Sequence, residues 1–420
     1  MNAILITLGT TRADRLGCYG YQLAQTPALD ALARNGALFE RAYSSVPLTL
    51  PSHATMFTSL YPPEHGLHLD GTNRLGSVFP VLAEFLKAEN YDTGAFLSAL
   101  ALNARFGLNR GFDTYDDACQ AATTGHSSPT RRSDESSVMD AALAWLDARR
   151  DRPFFCWIHL ADSPFPYDAR RETFGDTFAE RPYDAGIAFA DLQVRRLIDF
   201  LQRQKLSERT LIVVVGDHGE GLMEHGELQH GRQLYNSTLR VPLIVAGPDF
   251  IQPGVRVAMP VSHVDVAPTI LCSLGIGPIK TRYRGSPLNP ALAGKEIGNR
   301  IFHIETHLPL AENQEHRLAG LVTAGWKYIH GGEPELYDLM SDPGETNNVA
   351  TTETRQLRIF ADLFRRGQSN MEKRDAPTVH LSRAEEHILH GEDAAADNGD
   401  APREIKRRPD ARSPDDRLAP

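Results

Sequence analysis

An unbroken apolar run, Leu211-Ile212-Val213-Val214-Val215, passes through Gly216 into an acid and an imidazole, Asp217 and His218. A run of this length with no polar alternation reads as a strand buried on both faces, as in a parallel sheet. In open α/β sheets, ligands bind beyond the carboxyl ends of such strands. Carboxylate oxygen and neutral imidazole together suit zinc, manganese and similar ions, so Asp217 and His218 are candidate metal ligands. His225 and His230 follow closely in a Gly-rich stretch and add imidazoles for further ligation or for contacts to an anion.

A second segment, Thr49-Leu50-Pro51-Ser52-His53-Ala54-Thr55-Met56-Phe57-Thr58, carries the candidate nucleophile. Pro51 has the fixed φ that suits a first helical turn, and the residues after it can continue the helix. First-turn amides have no intrahelical partners, and with the helix dipole they favour an anion. Taken alone, a Thr ahead of a Pro is an ordinary cap. Beside a metal the same hydroxyl can be activated as a nucleophile.

Around these segments strands and helices alternate in the pattern of a doubly wound fold. Helices are expected over residues 26–35, 79–89, 136–149, 183–204 and 264–274, and strands over 153–160, 210–215 and 241–245. Residues 118–134 read as a surface loop. A chain of 420 residues can bury a large core, with one large and one smaller domain as the natural division. The formal net charge of −10 argues against nonspecific nucleic-acid binding, which favours a basic face. Cys18, Cys119, Cys156 and Cys272 show neither metal spacing nor a dense disulfide framework, which is consistent with buried thiols in a reducing compartment. Residues 3–8 already read as a core strand, and no run approaches the length of a membrane span. A cytoplasmic protein is the expectation.

These motifs, in this order and spacing, make the chain resemble the sulfatase branch of the alkaline phosphatase superfamily over most of residues 2–350. The resemblance rests on Ala3 to Leu8 with Thr10 to Gly20, and on Thr26 to Ala33. It continues through Thr49 to Ala54, Tyr61-Pro62-Pro63-Glu64-His65-Gly66 and Asp217 to Glu220, and closes with Trp326-Lys327-Tyr328, Glu335 to Leu339 and Asp342 to Glu345. It implies an alkaline-phosphatase-like α/β fold: a mixed, mostly parallel sheet flanked by helices, with a smaller C-terminal α+β subdomain. The implied divisions are a catalytic domain over 1–295 and the smaller subdomain over 296–372; residues 373–420, rich in Asp, Ala, Arg and Pro, read by composition as a disordered, solvated tail.

The implied activity is metal-dependent hydrolysis of sulfate or phosphate esters of small molecules. Thr49 stands at the nucleophile position, where sulfatases proper carry a Cys or Ser that is oxidised to formylglycine. Threonine cannot undergo that oxidation, so no formylglycine is expected and phosphate becomes the chemically favoured ester. The implied site comprises Thr49 and His230 as catalytic groups, and Asp217 and His218 on a divalent ion (Mn, Zn, Ca or Mg). His53, Asp70, Asp162 and His225 are the candidate substrate contacts.

Three positions depart from the family pattern. Gly9 replaces a metal-binding Asp. His68-Leu69-Asp70 replaces an Arg-Asp-Asn run. Asp162-Ser163-Pro164 stands where relatives read Asp-Pro-His. Two further readings follow from these departures and from the Thr: a non-catalytic relative retained as a binding or regulatory module, and a transferase that moves a phosphoryl or phospho-alcohol group to an acceptor other than water.

Overall fold

The computed structural model describes residues 1–117, 135–161, 165–277, 283–312, 316–371, 373–382 and 385. The strands of its large sheet are Asn2–Leu8 (β1), Ala37–Phe39 (β2), Asp92–Leu97 (β3), Thr114–Asp116 (β4), Phe154–Leu160 (β5), Thr210–Gly216 (β6), Leu243–Ala246 (β7) and Val255–Val257 (β8). Their order is β8-β2-β7-β6-β1-β5-β3-β4. All neighbours are parallel except β7, which runs antiparallel to both β2 and β6. A mixed, mostly parallel sheet is therefore observed.

The period-two geometry of the strands divides the core. Leu5, Phe155, Trp157, Leu211, Val213 and Val215 face one layer, formed with Met56, Phe57, Leu82 and Ile270. Ile4, Ile6, Ile158, Ile212 and Val214 face the other, formed with Leu29, Met139, Ile187 and Leu197. Both faces of β1, β5 and β6 are thus covered, which is why these strands read as continuous apolar runs. The covering helices include Pro27–Asn35 (α1), Thr49–Thr58 (α2), Glu135–Asp147 (α3), Pro182–Arg203 (α4) and Val266–Ser273 (α5). A second, antiparallel sheet is built from Phe302–Thr306 (β9), Leu318–Val322 (β10), Trp326–His330 (β11) and Glu335–Asp338 (β12), with helix Thr354–Ser369 (α6) packed on it.

Three expectations change. The strand expected over 241–245 is interrupted at Pro242, which has no N–H for a ladder; Arg240–Val241 pairs in a separate three-stranded sheet instead. Residues 373–382, assigned by composition to a solvated tail, return along the body. Arg374 and Val379 donate backbone hydrogen bonds to Pro63 and Thr72, and Ala376 is buried. Few apolar residues suffice there because a preformed surface supplies the rest of the contact. Of the described cysteines only Cys156 is buried; Cys272 is exposed. The loop expected over 118–134, the chain from 386 onward, Cys119, Asp162 and Pro164 lie outside the described residues. No helix among the described residues is long and apolar enough to cross a membrane.

Candidate active site

The carboxyl ends of β1, β5 and β6 lie side by side, and the candidate site is built on them. Parallel register sets Thr7 between His159 of β5 and Val215 of β6. Asp217 follows the end of β6 and is buried. Its Oδ1 accepts from Thr10 N at 2.9 Å and from His218 N at 2.7 Å. Its Oδ2 has no hydrogen-bond partner among the described residues. Thr10, which supplies one of those amides, is held at φ +48°. A β-branched residue in that region is strained, and such strain concentrates at functional sites. Gly219 lets the chain pass the neighbouring segment, since a Cβ there would lie 2.0 Å from Ser237 O.

Thr49 opens α2 at the same end of the sheet. Its hydroxyl lies 3.3 Å from His218 Nε2. The other ring nitrogen, Nδ1, is 3.0 Å from the carbonyl of Gly219 and donates to it. That bond selects the tautomer whose Nε2 carries a lone pair, aimed at the Thr49 hydroxyl. Burial pushes the His218 pKa down against the opposing pull of Asp217, so the imidazole is neutral and basic. Burial works against the Asp217 anion, but the imidazoles around it and the amide of His218, beside that of Thr10, hold the carboxyl below its usual range, so it stays ionised.

His230 lies against the same ring, with centroids 4.3 Å apart. Its Nδ1 is 3.1 Å from Glu220 Oε1. Burial opposes its protonation, but the charge and hydrogen bond of Glu220 prevail and raise its pKa to about 9. A cation therefore stands beside the neutral base at neutral pH.

Two expected substrate contacts take other positions. Asp70 caps α2: Oδ1 accepts from Leu50 N at 2.6 Å and Oδ2 from Thr49 N at 3.3 Å. The protein's own carboxylate thus occupies the amides that would attract an external anion. His225 is at the rim, stacked on Tyr235, with its Nε2 donating to Gly344 O. Arg12, which an exposed loop would leave solvated, is instead buried and paired with Asp14 and Glu224.

His53 also departs from its assignment, since it is buried beneath α2 rather than facing a substrate. Its Nδ1 donates to Thr49 O at 2.7 Å, while its Nε2 has no hydrogen-bond partner among the described residues. Its ring packs edge-on against His159 at 5.0 Å. Ligand atoms of His53, His159 and Asp217 all lie within 4.8 Å of one another. The set fits a divalent ion of the zinc type: it offers two imidazoles and one ionised carboxylate, and two of its buried polar atoms have no hydrogen-bond partner among the described residues. Of the expected metal ligands, Asp217 belongs to this group; His218 is outside the three, with its Nε2 3.7 Å from Asp217 Oδ2 and 3.3 Å from the Thr49 hydroxyl. His159 was missed. The signal for it is its place in Phe155-Cys156-Trp157-Ile158-His159, where period two puts His159 on the face of Trp157, against α2.

Gly9 is explained by the same neighbours. A Cβ there would meet Ala161 Cα at 3.0 Å and His159 Cε1 at 3.5 Å. His159 stands close to the space that a side chain at position 9 would enter.

Comparison with known proteins accords with this arrangement. The Sulfatase family matches residues 1–276, and the C-terminal family of N-sulphoglucosamine sulphohydrolase matches residues 223–372. The chain belongs to the sulfatase family. It is similar to arylsulfatase K of Xenopus laevis, with 24% identity over 409 residues covering 78% of this chain and 75% of that protein. It is also similar to choline-sulfatase of Rhizobium meliloti (strain 1021), with 32% identity over 221 residues covering 50% of this chain and 41% of that one. Among solved structures, phosphonate monoester hydrolase of Agrobacterium radiobacter superposes with a TM-score of 0.70 at 21% identity, covering 88% of this chain and 95% of that chain. A protein solved with its substrate D-glucosamine-2-N,6-O-disulfate superposes with a TM-score of 0.73 at 20% identity, covering 88% and 97%. These two likenesses establish the shared fold. Family members are hydrolases of sulfuric ester bonds that typically use a divalent metal.

Proposed function

We propose that this sulfatase-family protein hydrolyses anionic monoesters, with phosphate preferred over sulfate, through a covalent intermediate on Thr49. The observation that carries the proposal is the Thr49 hydroxyl within hydrogen-bond reach of a His218 Nε2 whose tautomer is set by Gly219. His218 takes the proton as Thr49 Oγ1 attacks the phosphorus or sulfur. The bond from phosphorus to the ester oxygen breaks, and the departing alkoxide takes a proton from solvent water to leave as the alcohol. The hydroxide so formed attacks phosphorus and breaks the Oγ1–phosphorus bond, and the proton held on His218 returns to Oγ1, which releases phosphate and restores Thr49. A phospho-threonine can be resolved this way, whereas a threonine sulfate lacks the elimination route open to a formylglycine hydrate. His230, cationic up to about pH 9, is placed to bind a non-bridging oxygen.

A divalent ion bound at this site would act as a Lewis acid and lower the pKa of a nearby hydroxyl. His53, His159 and Asp217 are the residues that would hold it, with Gly9 leaving His159 its room. The test is to react the protein with an aryl phosphate and, separately, an aryl sulfate, quench it, and map adducts by mass spectrometry. Phosphate on Thr49, lost in Thr49→Ala and retained in Thr49→Ser, is the expected result. Turnover that persists in Thr49→Ala would refute the nucleophile.

The capping of α2 by Asp70 favours a second reading, a family member that binds ligands without turning them over. No adduct and no turnover with either ester, in a protein that still binds the ester, would select it.

A further inference from the structure

A second cluster of potential ligands lies outside the Thr49 site, where the small sheet meets the large domain. On β9 the sequence reads His303-Ile304-Glu305-Thr306-His307. Strand geometry sends alternate residues to one face, so His303 and Glu305 share a side and His307 follows as the strand ends. The fourth member, His68, comes from a loop 237 positions earlier in the chain. Glu305 is the centre of the group. Its Oε1 lies 2.6 Å from His68 Nδ1 and 3.4 Å from His307 Nε2, and its Oε2 lies 2.8 Å from His303 Nε2. The rings of His68 and His307 stack 4.0 Å apart and within 2° of parallel. One ligand atom from each of His68, Glu305 and His307 falls within a common 4.8 Å.

We infer that His68, Glu305 and His307 form a second metal centre, selective for a zinc-class transition ion, that joins the His68 loop to the small sheet. Two imidazoles with one carboxylate match the ligand softness of zinc better than that of magnesium or calcium, which prefer oxygen alone. Three protein ligands leave a coordination position open. His68 and His307 retain 26% and 16% of their side-chain exposure, so an ion can enter from solvent. His303 supplies the outer support: bonded to Oε2, it holds the carboxylate with Oε1 turned to the other two rings. One group competes for the position. An Arg317 amino group lies 3.4 Å from His307 Nε2, but it ends an exposed side chain that can swing away.

The location gives the centre a structural consequence. Glu305 N donates to Ser45 O at 2.9 Å, and the Thr306 hydroxyl bonds the carbonyl of Gly231. The strand that carries Glu305 and runs into His307 thus touches the segments leading to Thr49 and following His230. An ion bridging His68 to this strand would tie both segments to the small sheet.

The test uses the full chain stripped by a chelator and dialysed against Zn²⁺. Metal is counted in the wild type, His68→Gln, His307→Gln and Asp217→Asn, and the Tm of each is read with and without Zn²⁺. The inference expects His68→Gln and His307→Gln each to lose one equivalent that Asp217→Asn keeps, with site affinity lowered more than about 100-fold. The wild type should gain Tm on adding Zn²⁺ by an increment absent from both His variants. Glu305→Gln is avoided because that side chain is buried among its three imidazole partners, whereas the two His positions are partly exposed and tolerate an amide. Unchanged stoichiometry and Zn²⁺-dependent Tm in both His variants would overturn the centre and leave a hydrogen-bonded His-Glu cluster. Equal loss in Asp217→Asn alone would do the same.

Discussion

Asp70→Asn is the substitution that most directly probes the proposed chemistry. Asp70 places one carboxylate oxygen 2.6 Å from Leu50 N and the other 3.3 Å from Thr49 N, where the α2 dipole and the cationic His230 would otherwise draw in an anion. An ester oxyanion beside Thr49 would face this carboxylate at roughly 5 Å, a repulsion of about 3 kcal/mol at an effective dielectric near 20. Relaxation and residual solvent reduce that to about 1–2 kcal/mol, or roughly 5- to 30-fold in kcat/KM. Asparagine keeps an oxygen to accept from Leu50 N, so the cap survives. The amide NH2 that replaces Oδ2 cannot accept from Thr49 N, so that longer bond is lost together with the charge–dipole attraction, about 1–2 kcal/mol of stability. The two effects have opposite signs: Asp70→Asn should unfold at slightly lower urea concentration and hydrolyse an aryl phosphate faster. Steady-state kinetics beside urea melts measure both. A folded variant with unchanged or lower kcat/KM would show that the carboxylate does not oppose the substrate anion, and the proposed seat of that anion would fall with it.

Other predictions concern the frame around the site. Gly9→Asp restores the residue that the family resemblance implies, yet its Cβ would press on Ala161 Cα at 3.0 Å, with the His159 ring next to it at 3.5 Å. We expect a loss of about 1–3 kcal/mol in urea unfolding from overpacking and no gain in turnover; a more active, equally stable variant would refute the view that His159 has taken over that space. Lys327→Met strands Glu345, whose Oε1 is 2.6 Å from Lys327 Nζ with both side chains buried, and should cost about 3–5 kcal/mol by the same assay. A loss below about 1 kcal/mol would mean that the pair is solvated. Stability should also fall with acid. Burial lowers the His65 pKa to about 3 and that of His263 to about 4, so below the ordinary value of 6.5 the unfolded chain takes up protons that the fold refuses. Each group removes up to about 1.4 kcal/mol per pH unit as pH falls below 6.5. For His65 the geometry agrees: its Nδ1 accepts from Leu67 N at 3.2 Å, leaving no room for a second proton. Urea midpoints at pH 7 and pH 5 test this, and a His65→Gln variant with the same slope as the wild type would contradict the assignment.

How far the sequence could be read depended on whether a residue's neighbours come from its own segment. The β6 run, the alternation of elements and the α2 start are local patterns, and the structure places them as those patterns imply. Apart from the strand broken at Pro242, the failures are long-range. His53 reads as part of a nucleophile motif, but α2 turns it inward toward a ring 106 positions away, His159, which no local pattern marks as its partner. Asp70 reads as a substrate contact, but its partners are amides 20 and 21 positions upstream. Residues 373–382 read as solvated because composition counts what a segment carries and not the surface it lands on.

Gly9 shows how this affects functional inference. Considered alone, glycine at a ligand position subtracts one carboxylate and suggests a decayed centre. Beside His159, His53 and Asp217 Oδ2, which accepts no hydrogen bond among the described residues, it is the small residue that leaves room for a different donor set. A decayed site would have no reason to keep two buried imidazoles against an ionised carboxylate, because each desolvated polar group costs stability unless something satisfies it. That cost is the physical argument for a rebuilt centre rather than a vestigial one. Metal content therefore bears on the function more directly than the family motif does: a protein that keeps no ion after exposure to Zn²⁺ or Mn²⁺ would return the cluster to the status of a strained core.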